Sequence, residues 1–339
     1  MTNIANQNII IAAYIIIYIF SFFLTMLFRR WAIYKSLFDY PTDRSSHSQP
    51  VPRGGGLAIV VTFYMALFAF YLIGRIDTTL FFGLLPGIPL AITGFLDDIK
   101  KINWIIRLVI QFICSTLALY FIGGLQPLFG TKYILIWSII AVVGTVWFIN
   151  IFNFLDGSDG YASMEAIVVS IAIFSFTGES IFLIIALSVG GFLYWNWPRA
   201  KVFLGDSGST TLGYILVITG IFCHNTDVLD FSFWIIITSL FWFDATATLI
   251  RRMLNRENLS HPHRKHMYQR LIRAGFSHLS TLLVGLTINI ILFLLCIAVR
   301  MNFISVIVAL MVSLSLHITA FIILEKVFPY TSCESRLSK

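Results

Sequence analysis

Charge is scarce in this sequence. Asp, Glu, Lys and Arg together make up 12% of 339 residues, against about 25% in ordinary soluble domains. Cysteine is scarce too: Cys114, Cys223, Cys296 and Cys333 lie far apart, the first three in apolar stretches and none in a C-x-x-C spacing. A disulfide framework or zinc site is thereby excluded, and these residues read as small hydrophobes. There is no low-complexity linker, internal repeat or separate polar domain. What fills the chain is apolar: 58% hydrophobic and 16% aromatic residues, 32 of them Phe. A soluble fold of this size could not hide that much apolar surface. Composition excludes a soluble enzyme, a nucleic-acid-binding domain and a disordered chain. It predicts an integral membrane protein, all-α and polytopic, in a single domain over 1–339.

Apolar stretches of about the length a helix needs to cross the hydrocarbon core recur near 8–28, 54–73, 79–97, 104–122, 133–149, 164–178, 180–197, 208–224, 231–250, 279–299 and 303–323. That gives about 11 transmembrane helices, or ten if the crowded pair around Gly178-Glu179 is one. No basic residue precedes the first stretch and Arg29-Arg30 follow it, which predicts an uncleaved helix rather than a signal peptide. Threaded this way, 20 of the 23 Lys and Arg fall on one face; Arg75, Lys132 and Arg300 fall on the other. This bias predicts a periplasmic N-terminus and a cytoplasmic C-terminus. The net charge of +7 therefore reports topology first. The two longest loops, 29–53 and 251–278, are both assigned to the cytoplasm, and long loops in a compact chain usually carry function.

Many of the acids gather on that same face. Asp97-Asp98 closes the third stretch beside Lys100 and Lys101. Adjacent carboxylates at a membrane boundary repel and need a cation, a proton or basic neighbours. After the fifth stretch, Asn150, Asn153, Asp156 and Asp159 recur every third residue, a spacing that brings neighbours within reach on a helical turn. Gly157 and Gly160 between them would let a phosphate approach the backbone. A calcium loop fails as an alternative, because twelve-residue frames opened at Asp156 or Asp159 end at Ile167 or Ser170 rather than Glu. Asp206, in Gly205-Asp206-Ser207-Gly208, reads alone as an N-cap; beside the other acids it reads as a metal ligand, in the mix of carboxylates and amide oxygens that Mg²⁺ takes with phosphates. Asp244, about two turns before Arg251, needs an interior partner: a structural bond and a substrate-facing role remain equally open. The loop His261-Pro262-His263-Arg264-Lys265-His266 is too basic to attract a second cation and suits a pyrophosphate. The first loop carries Asp43-Arg44-Ser45-Ser46-His47 and then Arg53-Gly54-Gly55-Gly56, punctuation that marks a shaped turn allowing close approach to a headgroup or a helix.

Together these strings resemble the polyprenyl-phosphate N-acetylhexosamine-1-phosphate transferases, the MraY/WecA-type superfamily. The matching segments are 43–56, 94–98, 150–160, 203–209, Asp244 with Arg251-Arg252, and 263–271, in the family's order. The resemblance implies transfer of an N-acetylated sugar-1-phosphate from a UDP-sugar to undecaprenyl phosphate, releasing UMP, on the cytoplasmic face of the bacterial inner membrane. It implies Mg²⁺, with Mn²⁺ as the alternative, at Asn153 and Asp206. It implies catalytic roles for Asp97, Asp98 and Asp156, Asp97 being the candidate to deprotonate or orient the lipid phosphate. Substrate would be bound by Asp159, Asn150, Arg53, His263, Arg264 and His266. The partners implied are the two substrates and the bilayer, a homodimer being compatible, with no nucleic acid. Where WecA-like members carry His-His-Arg, this chain has Tyr268-Gln269-Arg270 after His266-Met267, closer to the WbpL-like O-antigen initiating branch; this leaves the sugar open. A secondary transporter or divalent-cation channel is the competing class, disfavoured by acids gathered at one face and by the missing repeat.

Overall fold

The computed structural model describes residues 2–41, 49–128, 131–258 and 263–330. Residues 43–47, His261, Pro262 and Cys333 lie outside the described residues. The described chain is mostly helical: α1 (Thr2–Tyr34), a ribbon of β1 (Phe38–Asp39) and β2 (Val51–Pro52), α2 (Gly56–Leu72), α3 (Thr78–Leu84), α4 (Gly87–Lys100), α5 (Trp104–Ile122), α6 (Ile134–Phe154), α7 (Tyr161–Thr177), α8 (Ser180–Asn196), α9 (Gly205–Asn225), α10 (Phe231–Ile237), α11 (Ser239–Leu254), α12 (Met267–Arg273), α13 (His278–Arg300) and α14 (Val306–Val327). Six helical segments are long and apolar enough to cross a membrane, α3 and α4 counting as one, and seven if the bent pair α10–α11 is one span. Their outer faces expose large apolar side chains such as Ile16, Ile106, Leu294 and Ile307, a surface that only lipid suits. The chain is a multi-pass membrane protein.

The elements depart from the apolar runs for local reasons. The first run, expected at 8–28, continues as helix to Tyr34, because Arg29 and Arg30 can extend their heads beyond the apolar layer. The third, expected at 79–97, breaks where Pro86 follows α3, since proline removes a backbone donor. The ninth, expected as one span at 231–250, bends by 68° between α10 and α11. There Thr238 Oγ1 donates to Trp234 O at 2.7 Å and Ser239 Oγ donates to Ile236 O at 2.7 Å, hydroxyls that bend helices by bonding back to the preceding turn. The crowded sixth and seventh runs are two separate helices, α7 and α8, parted by Gly178 at φ +69°.

Helix α9 runs through the middle of the bundle and is buried from Ser207 to Cys223. Its first turns are Gly, Ser and Thr, which let neighbouring backbones come close. A Cβ on Gly94 of α4 would lie 2.6 Å from the Asp206 carbonyl oxygen, and one on Gly56 would strike Gly208. The glycine run before α2 thus serves helix–helix approach. Backbone bonds Phe203 N–H to Pro52 O at 2.8 Å and Gly55 N–H to Phe203 O at 2.9 Å tie the ribbon to the start of α9, and so deliver Arg53 to the same place.

Candidate functional site

The end of α4, the start of α5, the turn after α6 and the start of α9 meet at one end of the bundle. Asp98, only 3% exposed at its side chain, accepts from the backbone N–H groups of Asp206 (3.0 Å) and Ser207 (3.3 Å). These are the unpaired donors of the first turn of α9, so Asp98 is an N-cap supplied from another helix. Its Oδ1 also accepts from Arg53 Nε and Nη2 at 3.1 and 2.7 Å. Gly205 sits at φ +75°, and a Cβ there would meet Asp98 Oδ2 at 2.6 Å, so this position needs glycine both for conformation and for room.

Asp97 points differently. Its Oδ1 accepts from Ile102 N–H and its Oδ2 from Arg107 Nη1 at 2.7 Å. The same Nη1 lies 2.6 Å from Asp206 Oδ2, while Arg53 Nη2 lies 3.9 Å from Asp206 Oδ1. Two arginines therefore serve Asp97, Asp98 and Asp206, and the neighbouring Asp156 adds a fourth carboxylate. The Asp156 carboxyl is drawn well above the usual range by its enclosure, and then by the negative charge of Asp206 and Asp98. The cluster holds more negative than positive charge.

Beside it lies a cavity of about 260 Å³ lined by Arg53, Asn153, Asp156, Asp159 and Asp206, together with Asp39, Asn196, Gln269 and His278. Asn153 donates its amide to Ser209 Oγ at 3.0 Å, which leaves its carbonyl oxygen as an acceptor. Asp159 Oδ2 accepts from Ala200 N–H at 3.1 Å and its Oδ1 lies 3.7 Å from His278 Nδ1. Asn196 holds the turn itself: its Oδ1 accepts from Gly160 N–H and Ser163 Oγ, both at 3.1 Å. Among the described residues no three His, Cys, Asp or Glu form a ready-made metal cage. The donor set here, Asp206 and Asn153 beside a surplus of carboxylate charge, fits Mg²⁺, which binds through one or two carboxylates and completes its shell with water and phosphate.

Of the residues singled out from sequence, Arg53, Asn153, Asp156, Asp159 and Asp206 share the cavity; Asp97 and Asp98 adjoin it through Arg107, Arg53 and Asp206. Asn150 does not line it: its amide donates to Gln111 Oε1 and Val146 O, both at 2.7 Å. The every-third-residue reading fails here because α6 ends at Phe154, so Asp156 and Asp159 lie on a turn rather than on the face that carries Asn150. His263, Arg264 and His266 also stand outside the cavity lining. Burial, and then the electrostatic influence of neighbouring His266 and Arg252, push the His263 imidazole down to about 3, so it is neutral at physiological pH. Asp244 accepts from the N–H groups of Met267 (2.8 Å) and Tyr268 (3.4 Å), a cap for α12 and the structural alternative of the two left open. Four surrounding cations are tied to two acids: Arg252 and Lys265 to Glu257, Arg251 and Arg270 to Glu325.

Sequence reading missed Arg107, Asn196 and His278. Arg107 did carry a signal, a lone cation one turn inside an apolar helix. Asn196 and His278 carried none, since each reaches the turn after α6 from a remote part of the chain.

Comparison with known proteins converges on one group. The profile of glycosyl transferase family 4 matches residues 80–224, which includes the aspartates of the cluster. A protein of Thermotoga maritima named undecaprenyl-phosphate alpha-N-acetylglucosaminyl 1-phosphate transferase is 30% identical over 86% of this chain and 92% of its own. One of Bacillus subtilis, named a probable undecaprenyl-phosphate N-acetylglucosaminyl 1-phosphate transferase, is 29% identical over 97% of both chains. The decaprenyl-phosphate N-acetylglucosaminephosphotransferase of Mycolicibacterium smegmatis is 28% identical over 81% of this chain and 78% of its own. Full-length similarity of this order, over a chain that carries the aspartates in the family's sequence order, shows that the protein belongs to glycosyl transferase family 4, the MraY/WecA-type superfamily.

Proposed function

We propose that this chain transfers an N-acetylated sugar-1-phosphate from a UDP-sugar to undecaprenyl phosphate, releasing UMP and leaving the lipid-pyrophosphate-linked sugar that begins a surface polysaccharide, O-antigen or a related cell-wall polymer. The observation that carries this is the convergence of Asp97, Asp98 and Asp206 on only two guanidinium groups, with Asp156 beside them, at a polar cavity at one end of an apolar bundle. Two anionic substrates must be brought together, and phosphoryl transfer is mostly a matter of positioning and charge neutralisation. Bound Mg²⁺ would supply that neutralisation at the pyrophosphate and orient the leaving UMP, with Asp206 and Asn153 as its protein ligands.

The chain's own residues divide the remaining work. Arg53 and Arg107 face carboxylates in this structure and are the groups a phosphate would draw toward itself. As Arg107 turns to phosphate, Asp97 Oδ2 loses its partner and becomes the acceptor for a proton of the lipid phosphate. Asp98 keeps the start of α9 in place, and with it Asp206. Asp156 and Asp159 sit toward the nucleotide, on a turn that Asn196 and His278 brace. In the membrane the chain makes eleven crossings, with the N-terminus periplasmic, the C-terminus cytoplasmic and the cavity on the cytoplasmic face of the bacterial inner membrane.

The test is UMP release by the purified protein given undecaprenyl phosphate and UDP-GlcNAc, with GalNAc, FucNAc and QuiNAc donors alongside, each with Mg²⁺ and with EDTA. Mg²⁺-dependent release with one donor establishes the reaction and the sugar together; silence with every donor, from protein shown to be folded, overturns the reading.

A further inference from the structure

Arg53, Arg107, Arg251, Arg252, Lys265 and Arg270, on the aspartate side of the bundle, have carboxylate partners. Arg199 and Lys201, in the turn between α8 and α9, do not: no described Asp or Glu lies within ion-pair distance of either, and both are exposed. Arg29 joins them, its Nε donating to Lys201 O at 3.0 Å. Aromatic rings surround the group: Lys201 Nζ stands 5.4 Å from the Tyr194 ring centre and 5.6 Å from that of Trp195, and the Arg29 guanidinium lies 5.9 Å from Trp195. Cations set among Trp and Tyr at the end of apolar helices are the usual furniture of the lipid headgroup layer.

A groove descends from these cations. A cavity of about 510 Å³ is lined by Tyr18, Gly190, Tyr194, Trp197, Arg199 and Lys201. A second, of about 290 Å³, lined by Ile11, Ile15 and Leu187, shares Tyr18 with it. Helices α1 and α8 run side by side beneath, held by Ser21 Oγ donating to Ser188 O at 2.5 Å and Trp195 Nε1 donating to Phe22 O at 3.1 Å. The absent side chain at Gly190 leaves the channel open over the Tyr18 ring. From Leu187 to Trp197 the groove spans ten residues of helix, about 15 Å, which is half of a hydrocarbon core about 30 Å thick. It is polar and cationic at the boundary and apolar at mid-bilayer.

We propose that the α1–α8 groove is a binding site for one anionic glycerophospholipid of the adjacent leaflet, its phosphate on Arg199 and Lys201 and an acyl chain along Tyr18, Gly190 and Leu187. The length and the charge both select a phospholipid: a soluble phosphate would leave the apolar half empty, and a zwitterionic lipid would leave the cations unmatched. The site touches the aspartate cavity through its floor, since Ala200 N–H, between the two cations, is the donor that holds Asp159. A bound headgroup would quiet the 197–202 turn. The inference does not rest on the reaction assigned above.

Native mass spectrometry of the full chain in detergent, given equal palmitoyl-oleoyl phosphatidylglycerol and phosphatidylcholine, reads the site directly. Wild type should keep one phosphatidylglycerol in preference to phosphatidylcholine. Arg199→Gln with Lys201→Gln should cut that preference roughly tenfold or more, as two lost contacts near a charged lipid would. Gly190→Leu, with both cations in place, should lose the lipid by filling the groove. Hydrogen exchange of the 197–202 segment in wild type, slower in phosphatidylglycerol than in phosphatidylcholine, covers the case in which a variant fails to fold. Equal retention of the two lipids by wild type, preference unchanged in the double variant, or exchange indifferent to lipid charge would each overturn the site.

Discussion

Two regions at the same end of this molecule are rich in opposite charges, and they use them differently. In the loop around α12, two carboxylates each gather two cations: Glu257 takes Arg252 and Lys265, and Glu325 takes Arg251 and Arg270. The cavity beside it is lined chiefly by apolar side chains such as Leu240, Phe243, Leu271 and Leu324. In the cluster at the start of α9, Asp97, Asp98 and Asp206 share two arginines, and with the neighbouring Asp156 they line or adjoin a polar cavity. The two differ in what their charges border: the ion pairs of one lie beside an apolar cavity, while the aspartates of the other line or adjoin a polar cavity that suits a charged ligand. Both regions stand out in the sequence as charge-rich strings, and charges counted along a chain do not say which of them borders a polar cavity.

The sharpest way to test that contrast is within the cluster itself. Asp98 is buried and holds both Arg53 and the first turn of α9, so Asp98→Ala should cost about 1–3 kcal/mol of stability by leaving two N–H groups of α9 and the part-buried Arg53 without their acceptor, measured by thermal unfolding in detergent. Asp97 holds only Arg107 and one backbone N–H. Asp97→Asn should leave the unfolding temperature within a few degrees of wild type while UMP release collapses. Equal losses of stability in the two variants would erase the distinction between them.

Next comes Asp206→Ala, which should lower UMP release by roughly 100-fold or more, the usual loss when a charge-stabilising group is removed from a transfer site, and should raise the Mg²⁺ needed for half-maximal rate. The corresponding change in the α12 region, Glu325→Gln, should do the reverse. It leaves Arg270, 1% exposed, without its carboxylate and should cost about 2 kcal/mol or more of stability, with UMP release per folded molecule unchanged. If Glu325→Gln abolished turnover in protein of normal stability, the α12 region would have to be counted part of the site.

The sequence showed the apolar runs, and with them where the long helices lie, because burial in lipid imposes one strong pattern on composition. It also showed that Asp97, Asp98, Asp156 and Asp206 gather at one end. It could not divide the pair Asp97-Asp98 into a partner for Arg107 and a cap for α9, because that depends on Gly94 letting α4 close on Asp206, a contact across more than 100 residues. Asn150 shows the opposite failure: a regular spacing suggested a shared face, and the helix ended before the pattern did. The 68° bend at Thr238 rests on hydroxyl-to-carbonyl bonds within one turn, which Ser and Thr make in some apolar helices and not in others.

The smallest effect separates the two regions by pH. Burial alone would raise the Glu257 carboxyl, but bonds from Lys265, Tyr330 and Arg252 outweigh it and hold it down at about 2. A carboxyl lowered on folding adds stability that is complete above its unfolded value, about 4.3, and is lost as pH falls through the folded one. Glu257 is open to solvent on one side, so the contribution is about 1 kcal/mol or less. Asp156 is raised on folding and has the opposite sign: it opposes folding at neutral pH, and that opposition fades on acidification. Between pH 6 and 4, therefore, Glu257→Gln should be slightly less stable than wild type by a margin that narrows toward pH 3. Asp156→Asn should be more stable than wild type at pH 7, by a margin that narrows on the same descent. Thermal unfolding of both variants across this range checks the signs; a stability gain from Glu257→Gln at pH 7 would mean that the loop, like the aspartate cluster, is holding charge in reserve for a ligand.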